Sequence, residues 1–120
     1  MPDDQPRPDA LLPLQSATFH ILMALAEGDL HGYAIIQHVA TRTDGDVRLS
    51  AGTLYRSIQR MLDQDLIEEI HQRPAPEKDD ERRRYYRITP FGAAVARAEA
   101  GRLAGLVKLA RASGLVPRRA

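Results

Sequence analysis

Polar side chains that can form paired hydrogen bonds occur together on one side of a predicted helix. Arg56 and Arg60 carry guanidinium groups and Gln59 carries an amide, each able to form two hydrogen bonds with the edge of one base. Thr53 and Tyr55 add hydroxyl groups, which can donate to phosphate oxygens. Surface helices usually expose such charges to water alone, but this combination favours contact with duplex nucleic acid. The residue types do not decide which side chains contact bases and which contact phosphates.

The helix that carries these side chains has a defined beginning and a defined apolar side. Ser50 precedes it at the N-cap, where a hydroxyl can accept a hydrogen bond from the free N–H groups of the first turn. Capping is the simpler role for Ser50, which we also include among the candidate contact residues. Tyr55 has an alternative as well, because its ring could pack inward. The apolar side of the helix consists of Leu54, Ile58, Met61 and Leu62.

Other parts of the chain supply the elements that would support this helix. Apolar residues at helical spacing predict a first helix from Leu14 to Ala26 and a second from Gly32 to Thr43. Short runs rich in β-forming residues, from Leu66 to Ile70 and from Arg84 to Ile88, predict a hairpin with a long charged tip. The first ten residues show no periodicity, so we expect them to lie outside the fold.

A last helix, from Thr89 to about Ser113, is long for so small a protein. Thr89 can cap this helix, and Pro90 suits its first position, where a missing N–H costs nothing. The apolar side is larger than one small domain can cover, and Gly101 and Gly105 would allow another backbone to approach closely. We therefore predict that this helix pairs with a second copy of the chain. The predicted interface residues are Val95, Leu103, Leu106, Val107 and Ala110.

Length and composition restrict the class of protein. A chain of 120 residues forms one domain, and 43% hydrophobic with 28% charged residues is typical of a soluble fold. We find no cysteine, no apolar run long enough for a membrane span and no secretory signal, so the expected location is the cytoplasm. The net charge of +1 is nearly neutral, but arginines concentrate at positions 82, 83, 84 and 87. Local charge is therefore the better indicator of a nucleic-acid surface.

The order of the elements, α-α-α-β-β-α, is that of a mainly helical winged helix-turn-helix with a small β-hairpin. In this fold the third helix enters the DNA major groove. We divide the chain into a flexible arm (1–12), a DNA-binding domain (13–88), a long C-terminal dimerisation helix (89–113) and a flexible tail (114–120).

Three sequence motifs strengthen this interpretation. They are GDLHGY at residues 28–33, GTLY at residues 52–55 and RYYRITPFG at residues 84–92. In this order and at these intervals they resemble the PadR family of bacterial transcriptional repressors, over about residues 19 to 111. Each motif alone would be weak, but their combination is specific.

The resemblance implies a function and a set of contacts. It implies a homodimeric repressor that binds a pseudo-palindromic operator, with a phosphate contact for Tyr55 and, in the wing, for Arg83 or Arg84. Because no large helical domain follows the last helix, the chain resembles the short subgroup, in which that helix serves mainly for dimerisation. Small molecules release some family members from DNA, so an effector is a further expected partner. The predicted DNA contacts are Ser50, Thr53, Tyr55, Arg56, Gln59, Arg60, Arg83 and Arg84.

Other chemistries find little support in the sequence. His31 could ligate a metal, but the other histidines lack ligand spacing, and the HGY segment fits a turn at the start of a helix that buries Tyr33. Asp79 and Asp80 are adjacent in a loop and cannot hold a reacting bond between them. We therefore predict no metal, no cofactor and no enzymatic activity. A winged-helix protein-interaction module that never touches DNA remains the alternative, which salt-dependent DNA binding would exclude.

Overall fold

A computed structural model of the chain describes residues 5–70 and 84–117. Within these ranges the chain forms four α-helices and three short β-strands. They are α1 (Ser16–Ala26), β1 (Leu30–His31), α2 (Gly32–Arg42), α3 (Ala51–Asp63), β2 (Ile67–Ile70), β3 (Tyr85–Ile88) and α4 (Pro90–Ala112). The predicted winged helix-turn-helix is confirmed, with one strand added. In the described ranges, no helix is both long enough and apolar enough to cross a bilayer.

The predicted hairpin is part of a three-stranded sheet, because β1 pairs with the edge of β3 that β2 leaves free. The strand order is β1-β3-β2, with Leu30 opposite Tyr86 in one antiparallel pair and Ile67 opposite Ile88 in the other. A strand of two residues shows no alternation of apolar and polar positions, so the sequence carries no signal for it. Its pairing fixes the start of α2, which follows at once, against the sheet.

The core lies where α1, α2 and α3 meet and is closed by the sheet and by the first half of α4. As predicted, Leu54, Ile58 and Met61 form the buried side of α3, whereas Leu62 is only partly buried. The remaining fully or almost fully buried apolar residues are Ile21, Leu22, Ala24, Leu25, Ile35, Val39, Leu66, Ile67, Tyr86 and Val95.

Two predictions are wrong, one about the N-terminal arm and one about Val95. Residues expected in the flexible arm belong to the fold, because Pro8–Leu11 forms a 3-10 turn and Leu11 and Leu12 pack against the core. Prolines interrupt this segment, so its leucines show no helical spacing and were not recognised as core residues. Val95, expected at the dimer interface, has no exposed surface because it packs inside its own domain. Val95 is therefore not available for contact with a second copy of the chain.

The junction between β3 and α4 is held by the carbonyl of Leu66. The Thr89 N–H donates to this carbonyl at 3.1 Å, and the Thr89 hydroxyl donates to it and to the Asp65 carbonyl. The same hydroxyl accepts from the Gly92 N–H at 2.9 Å, which caps α4 as the sequence predicted. A side chain at position 92 would overlap the Leu66 carbonyl oxygen. Glycine is therefore required there for close approach.

Replacing this glycine should reverse the usual effect of alanine in a helix. Gly92→Ala should lower the free energy of unfolding by about 1–3 kcal/mol, because the added methyl group meets backbone that cannot move aside easily. Gly101→Ala is the matched control, since a methyl group there meets nothing within 4 Å. It should be neutral or stabilise the protein by up to about 1 kcal/mol. Urea unfolding followed by circular dichroism measures both, and equal responses would contradict the packing argument.

Candidate nucleic-acid interface

The candidate contact residues of α3 lie together on its outer side. Tyr55, Arg56, Gln59 and Arg60 are exposed, and Thr53 is half-buried. The Ser50 hydroxyl accepts a hydrogen bond from the Thr53 N–H at 3.1 Å, so it acts as the N-cap. The side chain of Ser50 is thus engaged in the cap, whereas the four exposed residues present their side chains to solvent.

The outer side of α3 divides into two rows. Arg56 and Arg60, four residues apart, form one row, and Nη1 of Arg60 donates to the Gln15 side-chain oxygen at 2.8 Å. Tyr55 and Gln59 form the other row, which lines a cleft between α3 and the sheet. Residues four apart lie above one another on a helix, so the two side chains of each row point in the same direction.

Gln15 lies in a segment that a buried carboxylate holds in place. Glu99 of α4 is only 2% exposed, and its Oε2 accepts from the Leu14 N–H at 3.2 Å. Arg102 donates to both carboxylate oxygens of Glu99, at 2.7 and 3.0 Å. These hydrogen bonds from Arg102 are the main reason that the pKa of Glu99 lies below its ordinary value, despite burial, which acts in the opposite direction. A chain of contacts thus connects α4 through Leu14 and Gln15 to Arg60.

The HGY segment forms the end of the cleft nearest α2. Nδ1 of His31 accepts from the Ala34 N–H at 3.1 Å and so caps α2, and the His31 ring meets Tyr85 edge-on. A side chain at Gly32 would overlap the Tyr55 hydroxyl, so the glycine makes room for the Tyr55 ring. Tyr33 was expected to be buried, but it is 61% exposed. The buried residue of this turn is Gly32, and Tyr33 points outward because it is the next position on the helix.

The cleft has a volume of about 380 Å³ and combines aromatic, polar and charged side chains. Tyr86 of β3 is buried and lines it, and burial raises the pKa of the Tyr86 hydroxyl, with a further contribution from the charge of Glu69. The cleft is lined by His31, Gly32, Tyr33, Tyr55, Ile58, Gln59, Leu62, Glu69, Arg84 and Tyr86.

The wing, which is the hairpin of β2 and β3, places one of its two candidate arginines, Arg84, beside the cleft. Arg84 lies just before β3, with its Nε 3.7 Å from Oε2 of Glu69, and its side chain is 69% exposed. Arg83 and the acidic tip of the hairpin lie outside the described residues. At the far end of β3, Arg87 donates to both carboxylate oxygens of Asp29, at 3.4 and 3.0 Å, and fastens the sheet to the turn after α1.

Among residues 5–70 and 84–117, no three histidine, aspartate or glutamate side chains converge as metal ligands would. His31 uses Nδ1 as the cap of α2, which accounts for the histidine of the HGY motif without a metal.

Comparison with known proteins agrees with the fold and the motifs. The sequence model of the Transcriptional regulator PadR-like family matches residues 21–98. The chain belongs to this family. A transcriptional regulator from Clostridium thermocellum is 26% identical, with a TM-score of 0.68 over 82% of this chain and 95% of the other. A PadR family transcription regulator from Clostridium difficile is 23% identical, with a TM-score of 0.67 over 81% and 96%.

Two further relatives extend the comparison. PadR of Bacillus subtilis, solved in complex with operator DNA, is 18% identical and has a TM-score of 0.59 over 70% of this chain and 47% of its own. An uncharacterised protein of Lysinibacillus sphaericus is 35% identical over 74 residues. That match covers 62% of this chain and 65% of the relative, so it spans just under two thirds of that protein.

The structure shows what the residues of the three motifs do in this PadR-like chain. His31 and Gly32 of HGY cap α2 and make room for Tyr55 of GTLY. Thr89 and Gly92 of the last motif join the wing to α4. The motifs therefore hold the elements around the cleft together as well as supplying candidate contacts.

Sequence analysis missed three residues of this surface, namely Gln15, Tyr33 and Glu69. Gln15 meets Arg60 across 45 positions of sequence, a separation that no local pattern reveals. Tyr33 follows a buried glycine at the first turn of a helix, and this position could have indicated that it points outward. Glu69 alternates with Glu68 on β2 and faces the cleft, which strand alternation predicts only once the register is known.

Replacing the buried carboxylate should produce a stability loss that depends on pH. The pKa of Glu99 is lower in the folded state than its ordinary value of 4.5. The ionised carboxylate therefore contributes fully to the free energy of unfolding above the unfolded-state pKa, and this contribution is lost as the pH falls through the folded-state pKa. Glu99→Gln should therefore cost about 1–3 kcal/mol near neutral pH, and the difference from wild type should shrink below about pH 4. Urea unfolding across this pH range measures it. Glu68→Gln, an exposed change, is the control, and a pH-independent loss would contradict the pairing with Arg102.

Proposed function

We propose that this PadR-like protein is a homodimeric, sequence-specific DNA-binding repressor of a pseudo-palindromic operator. The observation that carries this proposal is the outer side of α3, where Tyr55, Arg56, Gln59 and Arg60 are exposed beside a wing that presents Arg84. Guanidinium and amide groups form paired hydrogen bonds with base edges, and hydroxyl and guanidinium groups bind phosphates. A regulator of this kind acts in the cytoplasm, on the DNA that it controls.

The docking follows from the fold. The third helix of a helix-turn-helix lies in the major groove, and its first turns approach the bases. In this orientation α3 would present Arg56 and Gln59 to base edges, while the wing would present Arg84 to the backbone. The relative from Bacillus subtilis, which was solved with operator DNA, supports this use of the shared fold. From the family resemblance alone, we also propose that a small molecule releases this protein from its operator.

The second copy of the chain would cover the distal half of α4. This helix has 23 residues and is about 34 Å long, so it extends beyond the core that its first half covers. Helical spacing continues the face of Val95 and Glu99 through Leu103, Leu106 and Ala110. Leu106 is 49% exposed, and Val107 and Leu109 are also exposed. A continuous apolar face that one protomer leaves uncovered is best buried against its own two-fold copy.

The dimer prediction can be tested with two matched glutamate substitutions. Leu106→Glu should dissociate the dimer, because burying an unpaired carboxylate in an apolar interface costs several kcal/mol, roughly. Ala104→Glu adds the same charge on the opposite side of α4 and should leave the dimer intact. Light scattering at micromolar concentration measures both variants and the wild type. A folded wild-type monomer, or equal dissociation by the two variants, would contradict the proposed interface.

The DNA prediction concerns salt and base preference. With Arg56, Arg60 and the wing arginines of two copies, we expect on the order of six neutralised phosphates and a log–log salt slope of about −5. Arg56→Ala or Gln59→Ala should cost about 1–3 kcal/mol on the operator and relax base preference there. Arg84→Ala should weaken operator and random DNA by similar factors and reduce the slope by about two units, roughly one for each copy of the chain. Footprinting should place the half-sites about 10 bp apart, or a multiple of that.

The same titrations decide between DNA binding and a protein-interaction role. The operator can first be sought upstream of the protein's own coding region. Absence of binding to any duplex at low salt, or a flat salt response, would support the interaction module instead. If α3 variants lost affinity uniformly while Arg84→Ala changed base preference, base recognition would belong to the wing.

A further inference from the structure

The cleft between α3 and the sheet brings hydrogen-bond donors from three elements to one place. Tyr33 of α2, Tyr55 of α3 and Tyr86 of β3 all line it, and Arg84 lies at the wing side. Tyr33 and Tyr55 are at least half exposed, so their hydroxyls can reach a ligand from solvent. A phosphate group offers only acceptor oxygens, and hydroxyl and guanidinium donors are the groups that bind it.

Tyr86 is buried in the wall of the cleft. Tyr86 is 3% exposed, and no residue in the described parts of the chain forms a hydrogen bond with its hydroxyl. A tyrosine hydroxyl is protonated near neutral pH, and burial together with the charge of Glu69 raises the pKa of this one further. A buried donor without an acceptor is costly, so the cleft favours an occupant that brings acceptor oxygens, directly or through water.

Among the described residues that line the cleft, Glu69 is the only one with a carboxylate. Its Oε2 lies 3.7 Å from Nε of Arg84, and the two side chains are 28% and 69% exposed. The separation is too long for a good hydrogen bond, and such exposed pairs contribute little stability. Arg84 can therefore exchange Glu69 for a better-placed anion at small cost. Glu69 itself would remain beside that anion and repel it.

The position of the cleft indicates which anion arrives. If α3 lies in the major groove, one DNA backbone strand borders that groove along the flank of the helix, and the wing lies on the other side of this strand. A phosphate of that strand would pass over the gap between α3 and the sheet. Resting on the DNA-binding role proposed above, we propose that this cleft receives one backbone phosphate, with Tyr33 as a new donor and Glu69 as the competing anion that the phosphate displaces from Arg84.

The first test removes single hydroxyl groups. Tyr33→Phe should weaken binding to a random duplex of about 30 bp and to the operator by the same factor, about tenfold, because a phosphate contact carries no base information. Tyr85→Phe is the matched control. Tyr85 lies next to Tyr86 on the other face of β3, against the His31 ring, and its loss should leave affinity unchanged. Equal effects of the two variants would overturn the role of Tyr33.

The second test removes the competing charge. Glu69→Gln should raise the affinity for both duplexes several-fold more than Glu68→Gln, which removes the same charge from the neighbouring position on the other face of β2. In an Arg84→Ala background the advantage of Glu69→Gln over Glu68→Gln should shrink, because the pair that competes with phosphate is then absent. An undiminished advantage in that background would overturn the displacement of Glu69 from Arg84.

A third measurement separates the DNA backbone from free phosphate as the occupant. Inorganic phosphate alone should change the tyrosine fluorescence of the wild type and of Tyr33→Phe equally or not at all. Saturable phosphate binding that needs Tyr33, without any effect of Tyr33→Phe on DNA affinity, would overturn the assignment to DNA. The wild type could bind duplex DNA in a salt-dependent way while Tyr33→Phe and Glu69→Gln behave like their controls. That result would overturn this inference and leave the proposed function intact. Absence of duplex binding by the wild type would remove both.

Discussion

The carbonyl oxygen of Leu66 is the point at which the hairpin of β2 and β3 is joined to α3 and α4. It accepts from the backbone and the hydroxyl of Thr89, while Gly92 lies so close that a side chain there would overlap it. Leu66 itself follows the end of α3 and precedes β2. A shift at this contact would therefore change the angle between α3 and α4 together with the position of the wing. The surface that we assign to DNA depends on this one close approach.

The exposed arginines of this surface are partly engaged within the protein before any ligand arrives. Arg60 donates to Gln15, and Arg84 lies near Glu69. The contact with Gln15 limits the rotamers of Arg60, which reduces the conformational entropy that this side chain loses on binding. The chain has a net charge of only +1, yet Arg56, Arg60 and Arg84 are all exposed on this surface. The net charge describes the whole molecule, whereas binding depends on which charges share one side of it.

Local signals in the sequence predicted most of the fold, and long-range contacts account for what they missed. The N-caps Ser50 and Thr89 and the apolar side of α3 follow from short-range chemistry, and the structure agrees with all three. Val95 was assigned to a partner because helical spacing shows that a face is apolar but not which surface covers it. The strand β1 and the Gln15–Arg60 contact each need a partner distant in sequence. For the candidate site, residue types were enough to select the exposed side chains of α3. The cleft could not be predicted because it depends on how α2, α3 and the sheet pack together.

The length of α4 beyond its own domain gives the proposed dimer an adjustable spacer. One residue inserted between Glu99 and Leu103 would advance the distal half by about 1.5 Å and rotate it by about 100°, which would move the apolar face away from its partner. An insertion of seven residues would nearly restore the face and lengthen the helix by about 10 Å. Close to three base pairs of DNA span that distance. Among related regulators, helix lengths that differ by whole turns could thus accompany different operator spacings while α3 and its base contacts stay the same.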